Sequence, residues 1–378
     1  MRLINWKTKY RGNFTALRMP PQFLYVHVNK RCNLRCQHCD FWKQDDNDKH
    51  NYLSWERKRD ILAEFAEINP QGKVVICGGE KLLDLEDYFL ITMECRALGL
   101  RALGVTNGTR IYDECIAERL ICEGAHEITV SLDSHMEILH DEMRGVKGAF
   151  RKAVNAIRLL LAARQRLNAI DTRIYVMGLI FSRNYQGLDD FYNFVLNDIK
   201  ADKLKLNFIQ PTFGHQGETD DFFARHHHVD PDRLAEIIMK CDRKYKLELN
   251  PVWLDHVRMY FRSLNNSRDV QRGWGARTGT EEHICNSYER NIMVDHYGVA
   301  SLCFSTSFPG KRLQKKGDLR AFWEGSDALR NRMRQCNRYC GISHSVRRET
   351  STLASRRPLL EPSGTRRGAF YNGSAPTI

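Results

Sequence analysis

No apolar run in this 378-residue chain approaches the ~20 residues that a membrane-crossing helix needs, which excludes a bilayer span from the expected elements. The start also lacks the apolar segment of a secretory signal. The 12 cysteines therefore do not read as the disulfide framework of a small secreted domain, and the cytoplasm is the expected compartment. Acid is missing from residues 1–31, which carry seven Lys or Arg, and residues 346–378 carry six Arg against two Glu. Because these ends hold +7 and +4 of the formal +12, the stretch between them is almost neutral. A basic groove across the fold, the usual footprint of a nucleic-acid binder, is thus not indicated, although basic ends suit an acidic partner. An acid-free start also fits an organelle transit segment, but residues 23–28 read as a first core strand, so cleavage would remove only what precedes them.

What the chain does have is alternation. Apolar strand patterns at 23–28, 73–77, 101–106, 127–132, 173–181 and 203–209 are separated by helical patterns, at 53–68, 85–98, 111–123, 147–167 and 188–199. Six strands alternating with helices predict an α/β fold with a parallel sheet and helices outside. Polar and glycine residues just after successive strands place the functional rim at the carboxyl ends, in a doubly wound sheet and in a barrel alike. Beyond residue 210 the alternation stops. Two helices follow, 230–246 with Pro231 in its first turn and 252–264, and the Gly- and Arg-containing stretch 272–279 then marks a boundary. The last ~30 residues are rich in Arg, Ser, Pro and Gly, the composition of a tail that does not order itself.

The chemistry concentrates in Cys32-Asn33-Leu34-Arg35-Cys36-Gln37-His38-Cys39, directly after the first strand. A four-iron cube takes one ligand per iron, so three thiols leave one iron open; tetrahedral zinc instead wants a fourth ligand, usually from a second Cys-x-x-Cys hook. Strand 73–77 runs into Gly78-Gly79-Glu80, where two glycines let the backbone come close to a ligand and Glu80 adds a negative charge. Strand three closes in Asn107-Gly108-Thr109 and strand four in Ser131-Leu132-Asp133, followed by His140-Asp141 and Arg144-Gly145. Asn107 and Asp133 fit equally well as turn formers. In the last third, Cys285, Cys303, Cys336 and Cys340 supply four thiols, with 292–299 as a hairpin between the first two; a cluster and a structural zinc both fit them. The remaining Cys77, Cys95, Cys115, Cys122 and Cys241 read as apolar filler. His226-His227-His228 reads as a solvated turn.

The cysteine spacing, the Gly-Gly-Glu turn and the segment from Ser131 to Phe150 resemble the radical S-adenosylmethionine (SAM) superfamily. That resemblance implies a partial (β/α)6 barrel over 22–225, after a basic segment 1–21. Linking helices 226–271, a small auxiliary domain 272–345 and a basic tail 346–378 would follow. It implies a 4Fe-4S cluster on Cys32, Cys36 and Cys39 whose open iron chelates the amino and carboxylate groups of SAM. His38 matches the ring residue before the last cysteine; Gly78, Gly79 and Glu80 match the turn at the SAM amino group, with Asn107 also on the rim. Ser131 and Arg144 match the residues that meet the ribose and carboxylate. Lys81 stands where the family usually has proline, which leaves the turn less rigid. The four later cysteines resemble the auxiliary domain called twitch with one cluster and SPASM with two, which implies a second 4Fe-4S cluster.

Together these features imply a radical SAM oxidoreductase. It would cleave SAM reductively to a 5'-deoxyadenosyl radical, abstract a substrate hydrogen and oxidise the substrate with the auxiliary cluster as electron acceptor. The first electron would come from an external reductant of flavodoxin or ferredoxin type. The expected substrate is a small metabolite such as a sugar, aminocyclitol or nucleoside in natural-product biosynthesis. The alternative is a maturase that crosslinks, oxidises or epimerises a ribosomal peptide. In an epimerase, Cys241 would be the candidate hydrogen donor. A zinc-stabilised binding module is the alternative of another class.

Overall fold

The computed structural model describes residues 19–44, 47–215, 217–275, 283–285, 287–304, 308–336, 338–340 and 345–347. Most of the basic N-terminal segment and nearly all of the C-terminal tail lie outside these. Six strands, β1 (Phe23–His27), β2 (Lys73–Cys77), β3 (Arg101–Thr106), β4 (Glu127–Ser131), β5 (Arg173–Ile180) and β6 (Lys203–Phe208), pair in sequence order and all parallel. Parallel neighbours need crossovers. These are supplied by α1 (Trp55–Ile68), α2 (Leu85–Ala97), α3 (Glu114–Cys122), α4 (Glu137–Arg144), α5 (Ala149–Arg166) and α6 (Leu188–Asn193). Helix starts carry their caps: the Ser54 hydroxyl accepts from Arg57 N at 3.3 Å and Asp113 from Ile116 N at 2.8 Å. The fold is the parallel α/β arrangement expected from the alternation, with its strands in sequence order as the partial barrel implied by the resemblance requires.

The strands are buried on both faces, which is why they read as near-continuous apolar runs. Leu24, Val26, Val74, Ile76, Ile128 and Val130 pack under the helices. Their alternates Phe23, Tyr25, Val75 and Leu103 form a separate inner cluster with Met293. Part of the inner face is charged: buried Lys205 pairs with Glu127 and lies 4.6 Å from the Tyr175 ring centroid.

Beyond the barrel come α7 (Asp221–His226), α8 (Pro231–Tyr245) and α9 (Pro251–Asn266). They are followed by β7 (His283–Cys285), α10 (Ser287–Arg290), β8 (Asn291–Val294), β9 (Val299–Ser301), β10 (Lys311–Arg312), α11 (Asp318–Gly325), α12 (Asp327–Met333) and β11 (Ser345–Arg347). Pro231 starts α8 where the sequence placed it. The hairpin expected at 292–299 exists, but β8 pairs in parallel with the outer edge of β1, and β9 and β10 extend the sheet antiparallel. The reason is physical: β1 would otherwise leave a row of unpaired N–H and C=O groups along one side. The pattern at 188–199 breaks after α6 into a π-helical turn, Phe194–Asp198. Helix α4 was not foreseen, because its buried apolar residues are only Leu139 and Met143, one i,i+4 pair.

Two histidines, His126 partly buried and His140 buried, accept backbone hydrogen bonds: His126 Nδ1 from Ala102 N and His140 Nδ1 from Asp133 N, each at 3.1 Å. Burial, reinforced by nearby arginines, lowers both to about 4, so both are neutral at ordinary pH. An unfolded histidine titrates near ~6.5, so the unfolded chain binds more protons between about 4 and 6.5. Stability from these groups is complete above that window and is lost as pH falls through it. The urea midpoint is expected to drop between about pH 7.5 and about pH 5, and His140→Gln to flatten that slope. An unchanged slope in the variant would contradict the neutral-acceptor role.

Candidate metal and cofactor site

The pairing of β1 with β2 continues past both strands. Val28 N donates to Cys77 O at 3.0 Å, Gly79 N to Asn29 O at 3.0 Å and Glu80 N to Arg31 O at 2.8 Å. Positions 78 and 79 must be glycine for this. A Cβ on Gly79 would lie 1.9 Å from Arg31 O, one on Gly78 would lie 2.3 Å from Asn29 O, and Gly78 has φ +123°. The close backbone approach read from the sequence as room for a ligand is taken up by the chain that leads into the cysteine loop. Fully buried Asn29 seals the junction, its Nδ2 donating to Glu80 O at 3.0 Å.

The rest of the loop is held from three other sides. Arg35 N and Gln37 N donate to the carbonyls of Arg144 and Met143 at 3.0 and 2.9 Å, satisfying two carbonyls at the end of α4. Asn107 Nδ2 donates to Asn33 Oδ1 at 2.9 Å from the end of β3. After β6, Phe213 N donates to His38 O at 3.2 Å, and Asp40 N to Phe213 O at 2.6 Å.

Cys32, Cys36 and Cys39 share one small apolar cluster with Leu34, Val146 and Ala149. Burial pushes all three thiols up, and at Cys39 the Cys36 sulfur adds to the effect. Such thiols stay protonated until a positive centre claims them as thiolates, so binding a metal centre here releases protons. Two donors already point at the sulfurs: Asn107 Nδ2 is 3.9 Å from Cys32 Sγ, and Arg144 Nη1 is 3.8 Å from Cys36 Sγ. Among the described residues no three His, Cys, Asp or Glu side chains close on a single ion. Three thiols in one loop, with N–H donors on two of them, fit a cube that takes one thiolate per iron.

The other residues singled out from the sequence fall around this loop, with altered partners. Glu80 is 1% exposed, and its carboxylate accepts from Leu82 N at 3.1 Å, Thr106 Oγ1 at 2.8 Å and Asn107 N at 2.8 Å. A carboxylate has about four acceptor positions, so about one remains for a ligand N–H. Arg144 is committed more fully. Its Nη2 donates to Asp133 Oδ1 at 2.9 Å, while Nε sits 2.8 Å from Oδ2 outside hydrogen-bond alignment. The guanidinium that the sequence assigned to a ligand carboxylate thus already has a buried protein carboxylate, and Asp133 is its counter-ion. Ser131 is buried at the end of β4, on the strand face opposite Val130. His38 is held neutral near 4 by burial; its Nδ1 is sealed without a partner and its ring lies 6.1 Å from that of Phe222.

Cys241 is fully buried on α8, which packs on α6, and desolvation raises its thiol to about 12; this is a filler of the helical layer. His226 and His227 bond to different places, Ser182 Oγ and Ala224 O. Sequence reasoning missed Asn29 and Asn33, because their partners lie 51 and 74 residues away and leave no local pattern.

Residues 26–195 match the Radical SAM superfamily. The chain carries a radical SAM domain. The family brings a 4Fe-4S cluster and SAM, and the protein is an enzyme of radical SAM type. The AdoMet-dependent heme synthase of Methanosarcina barkeri (strain Fusaro / DSM 804) is 23% identical over 83% of this chain and 85% of its own length. The Fe-coproporphyrin III synthase of the same organism is 32% identical, over 43% of this chain and 37% of its own. This chain therefore spans little more than a third of that second protein. Among solved structures, Streptococcus suis SuiB bound to the precursor peptide SuiA has a TM-score of 0.60 at 15% identity, covering 84% of this chain and 67% of that one, a likeness of fold.

The later cysteines follow the radical SAM domain. Cys303 lies after β9 and packs on the edge of the main core, and Cys336 follows α12, its N–H donating to Met333 O at 3.0 Å. Tyr339, between Cys336 and Cys340, is 1% exposed and anchors that turn, its hydroxyl 2.7 Å from Ser263 Oγ and its ring 6.0 Å from Tyr260. Cys285 is on β7, and its side chain lies outside the described set.

Removing one partner of a buried ion pair strands the other charge, at a cost of roughly 3 to 5 kcal/mol. Arg144→Met is therefore expected to lower both stability and iron retention. Asp133→Asn combined with Arg144→Met should cost less than the two single losses added. Strict additivity in urea denaturation would show that the pair is not coupled.

Proposed function

We propose that this enzyme is a radical SAM oxidoreductase acting on a small metabolite, with Cys32, Cys36 and Cys39 holding the SAM-binding cluster. The observation that carries the reading is the cysteine loop itself, fixed by backbone hydrogen bonds on three sides and by the Asn107–Asn33 side-chain bond on the fourth, and brought against Glu80, Asn107 and Arg144. With SAM bound, the cluster supplies a 5'-deoxyadenosyl radical that removes a substrate hydrogen. In this reading the chain's own groups do the following. Arg144 and Asn107 stabilise the thiolates, and Glu80 offers its remaining acceptor position to an N–H of the SAM amino group. Ser131 and His38 line the ligand's flank, and the buried surroundings of the loop keep water out.

Cys285, Cys303, Cys336 and Cys340 are assigned to a second 4Fe-4S cluster that takes an electron from the substrate. With four protein ligands it has no open iron, which leaves electron transfer or bracing of the fold as its role. A relative aligned over most of both chains is named for making heme, which favours a small-molecule substrate. A ribosomal peptide is the competing substrate, and a flavodoxin- or ferredoxin-type protein is the proposed reductant.

Anaerobic reconstitution is expected to give about eight irons per chain, because each of the two sites suits a four-iron cube. Replacing Cys32, Cys36 and Cys39 together by Ala should halve the iron and abolish SAM cleavage. Stoichiometric zinc with iron near zero would overturn the enzyme reading. Cys303→Ala with Cys336→Ala should leave deuterium transfer from labelled substrate into deoxyadenosine intact while suppressing oxidised product. Product at the parent rate in a folded double variant would remove the electron-acceptor role.

A further inference from the structure

Lys81 is a largely buried lysine without a counter-ion. The residue is 4% exposed, and among the described residues its ammonium makes neither a hydrogen bond nor an ion pair, while its Nζ is not among the sealed polar atoms and so keeps an opening to solvent. Other buried lysines here are paired, Lys58 with Asp87 at 3.0 Å and Lys205 with Glu127. An ammonium that has lost most of its water gains from an anion placed where its remaining opening lies, because few protein acceptors compete for it.

Its position says which way it faces. Lys81 follows Glu80 in the turn after β2, and its charge acts on three groups: Cys77, His27 and Cys32. His27 and Cys77 are cross-strand partners at the carboxyl ends of β1 and β2. Cys77 packs on the inner cluster that contains Tyr25 and Val75, so this pair faces the barrel interior. The Tyr25 hydroxyl, on the same face and two residues deeper, is sealed without a hydrogen-bond partner in a residue only 4% exposed. His27 is kept neutral near 4 by burial, with the His296 and Lys81 charges adding to the effect, and so does not compete as a cation. The inner mouth between β1, β2 and the cysteine loop thus holds one unpaired positive charge and an orphaned hydroxyl, while the arginine beside the loop is neutralised by Asp133.

We propose that Lys81 is the anion-binding residue of the barrel mouth and takes a ligand carboxylate, that of SAM or that of the substrate. An ammonium on a flexible stem suits a carboxylate as a point charge, without the bidentate geometry that Arg144 spends on Asp133. The anion site stands on the lysine's surroundings alone; assigning the carboxylate to SAM or substrate rests on the radical SAM reading.

The first test uses the wild-type chain, so it does not depend on a variant folding. Lys81 is acetylated with an N-hydroxysuccinimide ester and quantified by mass spectrometry, with sodium propionate or with neutral propionamide present. Propionate is expected to protect Lys81 where propionamide does not; equal labelling in both overturns the proposal. This readout needs no iron, so a zinc-loaded protein would end the radical reading while leaving the anion site open to the same test. The source is then assigned on reconstituted protein by equilibrium binding to Lys81→Met, with Lys81→Arg as the charge-retaining control. A loss of roughly 10- to 150-fold for SAM, with decarboxylated SAM unchanged, assigns the carboxylate to SAM. Both unchanged assigns it to the substrate. Equal weakening of both ligands would mean that Lys81 only supports the turn, and would overturn the proposal.

Discussion

The structure depends on one short piece of backbone pairing, the continuation of the β1–β2 ladder through Asn29, Arg31, Gly79 and Glu80. In a parallel sheet, loops normally leave the strand ends independently. Here two of them stay bonded, so the chain carrying three thiols and the turn carrying Glu80 form one rigid unit. Side chains at 78 and 79 would push the two apart, since the nearest obstacles are backbone oxygens at 2.3 and 1.9 Å that cannot rotate away. Specificity of composition at these positions is therefore a demand of covalent geometry before it is one of ligand binding. The consequence for chemistry is placement: the three cysteines and the acidic group are fixed relative to each other by main-chain bonds, which hold position more tightly than long side chains.

Around that unit the charges are distributed by burial. Asp133 is fully buried and its carboxyl is held low by the Arg144 guanidinium beside it, helped by Leu179 N donating to Oδ1 at 3.1 Å. The pair braces β4 and α4 against each other just where α4 delivers its last carbonyls to the cysteine loop. The arginine has two duties, neutralising Asp133 and donating toward Cys36, and both favour thiolate chemistry at the loop. This division of labour leaves the unpaired cation of the mouth on Lys81, from a turn whose sequence reads as an ordinary variation.

Much of this was legible in the sequence, and for physical reasons. Strands buried on both faces must be apolar runs, so β1 to β6 announced themselves within two residues of their ends. Three thiols at fixed spacing after a strand announced the loop. Partners did not. Arg144 reads as a free cation next to Gly145 because nothing local marks Asp133, eleven residues back, as its counter-ion. The glycines at 78 and 79 signal close approach, but not of what. Helix α4 and the pairing of β8 with β1 escaped for a shared reason: each is stabilised by distant elements, not by its own periodicity.

That β8–β1 pairing also alters what the region after residue 271 is. A separable auxiliary domain would leave β1 complete without it, yet here β1 is hydrogen-bonded on one side by β2 and on the other by β8, in register from Phe23↔Asn291 to Val26↔Val294. The contact reaches the cysteine loop directly. Lys30, two residues before Cys32, donates to Tyr297 Oη at 2.9 Å and pairs with Asp48 at 2.6 Å, while Leu53 N donates to His296 O at 2.8 Å. The hairpin that precedes Cys303 is thus bonded to the same strand and the same lead-in that position Cys32. The place of Cys303 relative to Cys32 is therefore held by sheet geometry and not by a linker. Electron transfer falls off steeply with distance and needs no motion, so if the later cysteines hold the second cluster proposed above, this continuity is what would hold Cys303 at a constant distance from the loop.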